Sequence, residues 1–94
     1  MAEVNTHSGS FARRIREALR AGLAEGGIEA RVETQKVRTT RLHRVIVSAP
    51  QFEQLRPSER QDLAWRIIDQ RFSPDEQLLI SMILTLTPDE LEGG

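Results

Sequence analysis

Cysteine is absent from the 94-residue chain, which excludes disulfides and any thiolate chemistry and agrees with a reducing cytosolic setting. Long apolar runs are absent too. The longest, near residues 78–84, is far too short to span a bilayer, and the opening MAEVNTHSGS lacks the apolar core of a signal peptide. The expected location is the cytoplasm, without a membrane partner. No glycine-rich phosphate loop occurs, because Gly26-Gly27 is an isolated pair. No serine is set in a motif with a histidine base, and carboxylate pairs such as Asp75-Glu76 and Asp89-Glu90 sit where helix starts explain them. Catalysis is not expected.

What is present suits one small soluble domain: 38% of the residues are hydrophobic and 29% charged, well away from the composition of a disordered chain. The net charge of −1 conceals a polarity. Residues 1–48 hold nine Lys/Arg against five Asp/Glu, and residues 49–94 hold four against nine. That asymmetry fits two complementary halves of one fold, and neither half has the dense basic cluster usual in nucleic-acid domains.

Periodicity places the elements. Phe11, Ile15, Ala18, Leu19 and Leu23 recur at helical steps from Ser10, and Gly26-Gly27 stops that helix. In IEARVETQKV, Ile28, Ala30, Val32 and Thr34 alternate with polar residues, as in a half-exposed strand. A turn at RTT and the β-branched LHRVIVS complete a hairpin, which Ala49-Pro50 closes. FEQL follows as a turn or short helical segment. Ser58 with Gln61 then reads as a capping box opening a second helix, whose apolar face is Leu63, Ala64, Ile67, Ile68 and Phe72 with Trp65 at its edge.

The stretch SPDEQLLISMILTLTPDEL carries two patterns. Ser73, Pro74 and Glu76 look like a helix start, yet Leu78, Ile80, Met82, Leu84 and Leu86 are all apolar while Leu79, Ser81, Ile83, Thr85 and Thr87 are mixed, as expected of a strand with one buried and one partly covered face. A third strand would give the two helices a proper sheet to cover, so residues 78–86 are expected to be extended. The expected fold is α+β: a small two-layer domain of order α-β-β-(turn or short helix)-α-β, its three-stranded sheet covered on one face by two helices. Residues 1–9 and 92–94 are expected to be flexible ends of a single domain, 10–91.

Val45-Ile46-Val47-Ser48, then Phe52-Glu53, Arg60, Leu63, Trp65 and finally Thr87-Pro88-Asp89-Glu90-Leu91 occur in an order that resembles the BolA-like proteins, whose fold is similar to a type II KH domain. The resemblance covers roughly residues 11–91. It implies a non-enzymatic regulatory or adaptor protein acting through a protein partner. In that family a histidine at the start of the last strand can ligate an iron–sulfur cluster shared with a monothiol glutaredoxin; the matching position here is Leu79. Gln61 replaces the histidine of the family's "RH" pair and Gln54 the glycine of its "FEG". Leucine offers no lone pair and glutamine only a weak amide oxygen, so the expectation is a protein without cluster ligation or other cofactor, and a glutaredoxin-type partner is disfavoured. By the same resemblance, Arg60 and Gln61 lie in the family's partner-binding region and are the candidate interaction residues. Arg60 has a second reading, as an ion pair bracing the turn. His43, the one strand histidine, is read as a cross-strand side chain rather than a metal ligand. The alternative function is nucleic-acid binding through Lys36, Arg38, Arg41 and Arg44 of the hairpin, although the GXXG loop with which a KH domain clamps the backbone is missing.

Overall fold

Gly27, at φ +81°, ends the first helix, α1 (His7–Glu25), in a left-handed turn where a Cβ would be strained. Its N–H donates to the Ala24 carbonyl and that of Ile28 to the Leu23 carbonyl, both at 3.0 Å. This paired return satisfies carbonyls that a helix end otherwise leaves bare. The structure, a computed structural model, describes residues 7–93. The expected loose segment 1–9 therefore falls outside the described residues as far as Thr6, and α1 already includes His7, ahead of the Ser10 start read from the sequence. Gly94 also lies outside them.

The hairpin consists of β1 (Arg31–Lys36) and β2 (His43–Ser48), paired antiparallel. Residues 28–30 are not yet strand, so β1 is shorter than the alternation from Ile28 suggested. A 3-10 turn, Pro50–Gln54, buries Phe52 and leads into α2 (Pro57–Arg71). Here the expected capping box is corrected. Pro57 takes the first helical position, where its missing N–H costs nothing, and the Glu59 carboxylate accepts from the Arg56 N–H at 2.8 Å. Ser58 lies inside the helix, and Gln61 is released for other bonds. A single turn, α3 (Pro74–Gln77), precedes β3 (Ile80–Leu86), and α4 (Pro88–Glu92) closes the described chain.

The strand order is β1-β2-β3, with β3 parallel to β2. Parallel neighbours need a long crossover, and the 3-10 turn, α2 and α3 supply it. The core forms between one face of this sheet and the two long helices: Ile15, Leu19 and Leu23 from α1, Ile67 and Ile68 from α2, and Val45, Val47 and Ile83 from the sheet are buried. Gly22 allows α1 to approach α2, since a Cβ built there would meet three Ile67 side-chain atoms at 2.8–2.9 Å. The expected α+β two-layer fold is the observed one.

Both patterns read in residues 73–86 are used, in succession. Ser73 caps α3, its Oγ accepting from the Glu76 N–H at 3.2 Å while the Glu76 carboxylate accepts from the Ser73 N–H at 2.9 Å. Leu78 remains helical, at φ −66° and ψ −15°, and is 74% exposed. The extended segment thus starts at Ile80, not Leu78. Its register passes from His43↔Ile80 to Arg44↔Met82, leaving Ser81 as an extra residue whose hydroxyl donates to the His43 carbonyl. Side chains alternate with period two, so one inserted residue exchanges the faces beyond it. Ile80 is buried, but after the bulge Ile83 and Thr85 face the core and Met82, Leu84 and Leu86 face away. The sequence suggested the reverse.

Candidate functional site

Arg60 is buried in the middle of the contact between α2, β3 and α4. Its Nε donates to the Leu55 carbonyl at 3.1 Å, and its Nη1 to the Thr85 carbonyl at 3.4 Å and the Glu90 carboxylate at 3.0 Å. The guanidinium also lies 5.7 Å from the centre of the Phe52 ring. Glu90 is held in turn by the start of α4, accepting from the Thr87 N–H at 2.9 Å. That backbone bond, followed by the Arg60 bond, keeps its carboxyl below the usual glutamate range. One residue on, the Gln61 amide donates to the Ile83 carbonyl at 2.7 Å and to Thr85 Oγ1 at 3.2 Å.

These bonds have a shared target. The Leu86 carbonyl accepts from Ala49 beyond the end of β2, so the alternate carbonyls of Ile83 and Thr85 point to the outer edge of the sheet. An edge strand with bare carbonyls is a template for another strand. Arg60 and Gln61 occupy both of these acceptors, and the two candidate interaction residues are thereby engaged within the fold.

The hairpin cations are exposed but are not gathered on one side. Lys36 pairs with His43 in the antiparallel register and Arg44 with Gln35, and successive strand residues face opposite ways. Arg44 lies on the sheet face away from the helices, its Nη1 donating to the Gln35 side-chain Oε1 at 3.5 Å. Arg38 and Arg41 belong to the turn. There Arg38 has φ +29°, and Thr40 organises the loop by donating its hydroxyl to the Val37 carbonyl and accepting from the Leu42 N–H at 3.0 Å. No ion pair joins these four cations to a carboxylate among the described residues.

His43 is buried edge-on to Phe11, with ring centres 5.4 Å apart. Burial first, and the neighbouring Lys36 charge second, hold its pKa below the ordinary imidazole value. No group of three or more His, Cys, Asp or Glu side chains is placed to hold a metal among the described residues.

No protein-family model matches this chain, and no curated protein matches it. No helix among the described residues is long and apolar enough to cross a membrane. The feature that sequence reasoning did not single out is the outward face of β2 and β3, where Ile46, Met82, Leu84 and Leu86 are exposed or half-buried. Alternation along β3 was the available signal, but the bulge at Ser81 reversed its meaning.

Proposed function

We propose that the protein is a non-enzymatic BolA-like adaptor that acts through a protein partner and needs no iron–sulfur cluster. The observation that carries this reading is the element order: helix, strand, strand, turn, helix, strand, closed by Thr87-Pro88-Asp89-Glu90-Leu91 as the cap of a final short helix. That is the order in which the motifs resembling the family occur. Glu59, Glu76 and Glu90, the carboxyls with lowered pKa, each accept a backbone N–H at a helix start, and structural roles account for them without catalysis.

The side chains at the positions of the family's two histidines do not fit a cluster. Leu79 is packed against the core and has no donor atom, while the Gln61 amide is committed to Ile83 and Thr85. Mixing with a cluster-loaded monothiol glutaredoxin is expected to leave the visible absorption unchanged, and a new ligand-to-metal band would overturn the cluster-free assignment. Purification of the tagged chain from its native cell tests the adaptor role. It is expected to bring down a protein in stoichiometric amount, whereas repeated recovery of a lone monomer would defeat it.

A second reading, nucleic-acid binding, draws on the exposure of Lys36, Arg38, Arg41 and Arg44. It requires affinity for random DNA or RNA that falls steeply with salt and disappears when Arg38 and Arg41 become glutamate.

A further inference from the structure

A sheet face left open to water ordinarily carries polar side chains, and the face left open by the described residues does so on β1 and, on β2, at Arg44 and the buried Ser48, but not at Ile46 or along β3. On β2 and β3 the cross-strand pairs are Arg44 with Met82, Ile46 with Leu84 and Ser48 with Leu86. Met82 is 40% exposed, and Ile46, Leu84 and Leu86 are half-buried. Among the described residues, both long helices lie on the opposite face, with Val45, Val47 and Ile83. Among the strand residues of this face, the apolar stripe is therefore bordered by the exposed Arg31 and Arg44, with Glu33 as their one carboxylate. Continuous apolar surface of this kind marks a contact.

Size and charge narrow the occupant. Three strands about 4.8 Å apart and about 20 Å long present roughly 300 Å², far below the roughly 800 Å² per partner of a standard interface between two folded domains. A second copy would also set the same net positive face against itself. Nucleobases ordinarily stack on aromatic side chains, and none lies on this face: Phe11, Phe52 and Phe72 are buried in the core and the half-buried Trp65 belongs to α2. One helix of about 13 residues is about 20 Å long and about 10 Å wide, which the face accommodates. We infer that this face docks an amphipathic helix of the partner, whose apolar ridge covers Ile46, Met82, Leu84 and Leu86 and whose flanking carboxylates meet Arg31 and Arg44. The inference rests on the adaptor reading and gives that partner a chemistry.

The probe is a synthetic helical peptide of about 13 residues with a leucine ridge flanked by glutamates, titrated into the 15N-labelled protein. A peptide with lysine in place of glutamate is the control. Saturable amide shifts are expected at Arg44, Ile46 and Met82 to Leu86, weakening with salt, with affinity lowered roughly tenfold or more by Leu84→Glu or by Met82→Glu at the more exposed position. Arg44→Glu should remove the preference for the glutamate peptide. Shifts confined to the hairpin turn or the helices, equal binding of the lysine peptide, or no shifts would each overturn the inference. So would concentration-dependent shifts of these residues without peptide, which would assign the face to a second copy, or displacement of the peptide by an oligonucleotide. Purification from the native cell separates the two levels. A partner recovered equally with wild type and Leu84→Glu ends the surface assignment and leaves the adaptor reading standing; no partner with either ends the adaptor reading itself.

Discussion

Replacing Arg60 by methionine keeps an unbranched side chain in the buried site and removes the guanidinium, with its hydrogen bonds and its place over the Phe52 ring. The loss follows from its bonds. The Leu55 carbonyl at 3.1 Å is a good neutral acceptor for a charged donor, and Thr85 at 3.4 Å is a weak one. A hydrogen bond to a charged group contributes about 1.5–3 kcal/mol. The pair with Glu90 adds little, because that carboxylate is 48% exposed and water replaces the lost partner. Arg60→Met should therefore destabilise by about 2–3 kcal/mol, lowering the urea midpoint with the slope unchanged. For a chain of this size each kcal/mol corresponds to roughly 4–8 °C in the melting temperature. A loss under about 0.5 kcal/mol, the range of an ordinary surface substitution, would refute the structural role of Arg60 and return it to the surface as an interaction residue.

Gly22→Ala places a methyl 2.8–2.9 Å from three atoms of the buried Ile67 side chain. An overpacking cost of about 1–3 kcal/mol should exceed the roughly 1 kcal/mol gained in helix propensity, and Ile67→Ala in the same chain should relieve it in a double-mutant cycle. His43 has a folded pKa below that of the unfolded chain, so the unfolded chain takes up its proton first as the pH falls. The stabilising contribution is complete above about pH 6.5, declines as the pH drops from there through the folded pKa, and levels off below it. Urea midpoints measured between about pH 7.5 and 5.5, where glutamates stay largely ionised in the folded and unfolded chain, should show this decline. His43→Leu should abolish it, and an unchanged slope in that variant would assign the dependence elsewhere.

Both long helices were legible because helical spacing of large apolar residues leaves few alternatives: Phe11, Ile15, Leu19 and Leu23 are all buried on α1. The hairpin followed from its β-branched second strand. Local competition hid the rest. Ser58 and Gln61 matched a capping pattern, but Arg56 and Glu59, with Pro57 between them, made the same kind of helix start two residues earlier. Arg60 could be read as an ion-paired side chain, yet its carboxylate is Glu90, 30 residues away, and no local rule selects it. In β3 the alternation was visible and its phase was not, because a bulge depends on the neighbouring strand as much as on Ser81. The apolar residues assigned to the core at Met82 and Leu84 are consequently the ones that make the outer face.

The phase of β3 is tested most directly by urea unfolding of Leu84→Glu beside Ile83→Glu. Ile83 is 3% exposed, and a carboxylate there should cost several kcal/mol or prevent folding. Leu84→Glu should cost about 1 kcal/mol or less, because its side chain leaves the sheet on the open side. If Leu84→Glu unfolds the protein while Ile83→Glu is tolerated, β3 presents the opposite face to the helices, and the proposed docking surface lies inside the core.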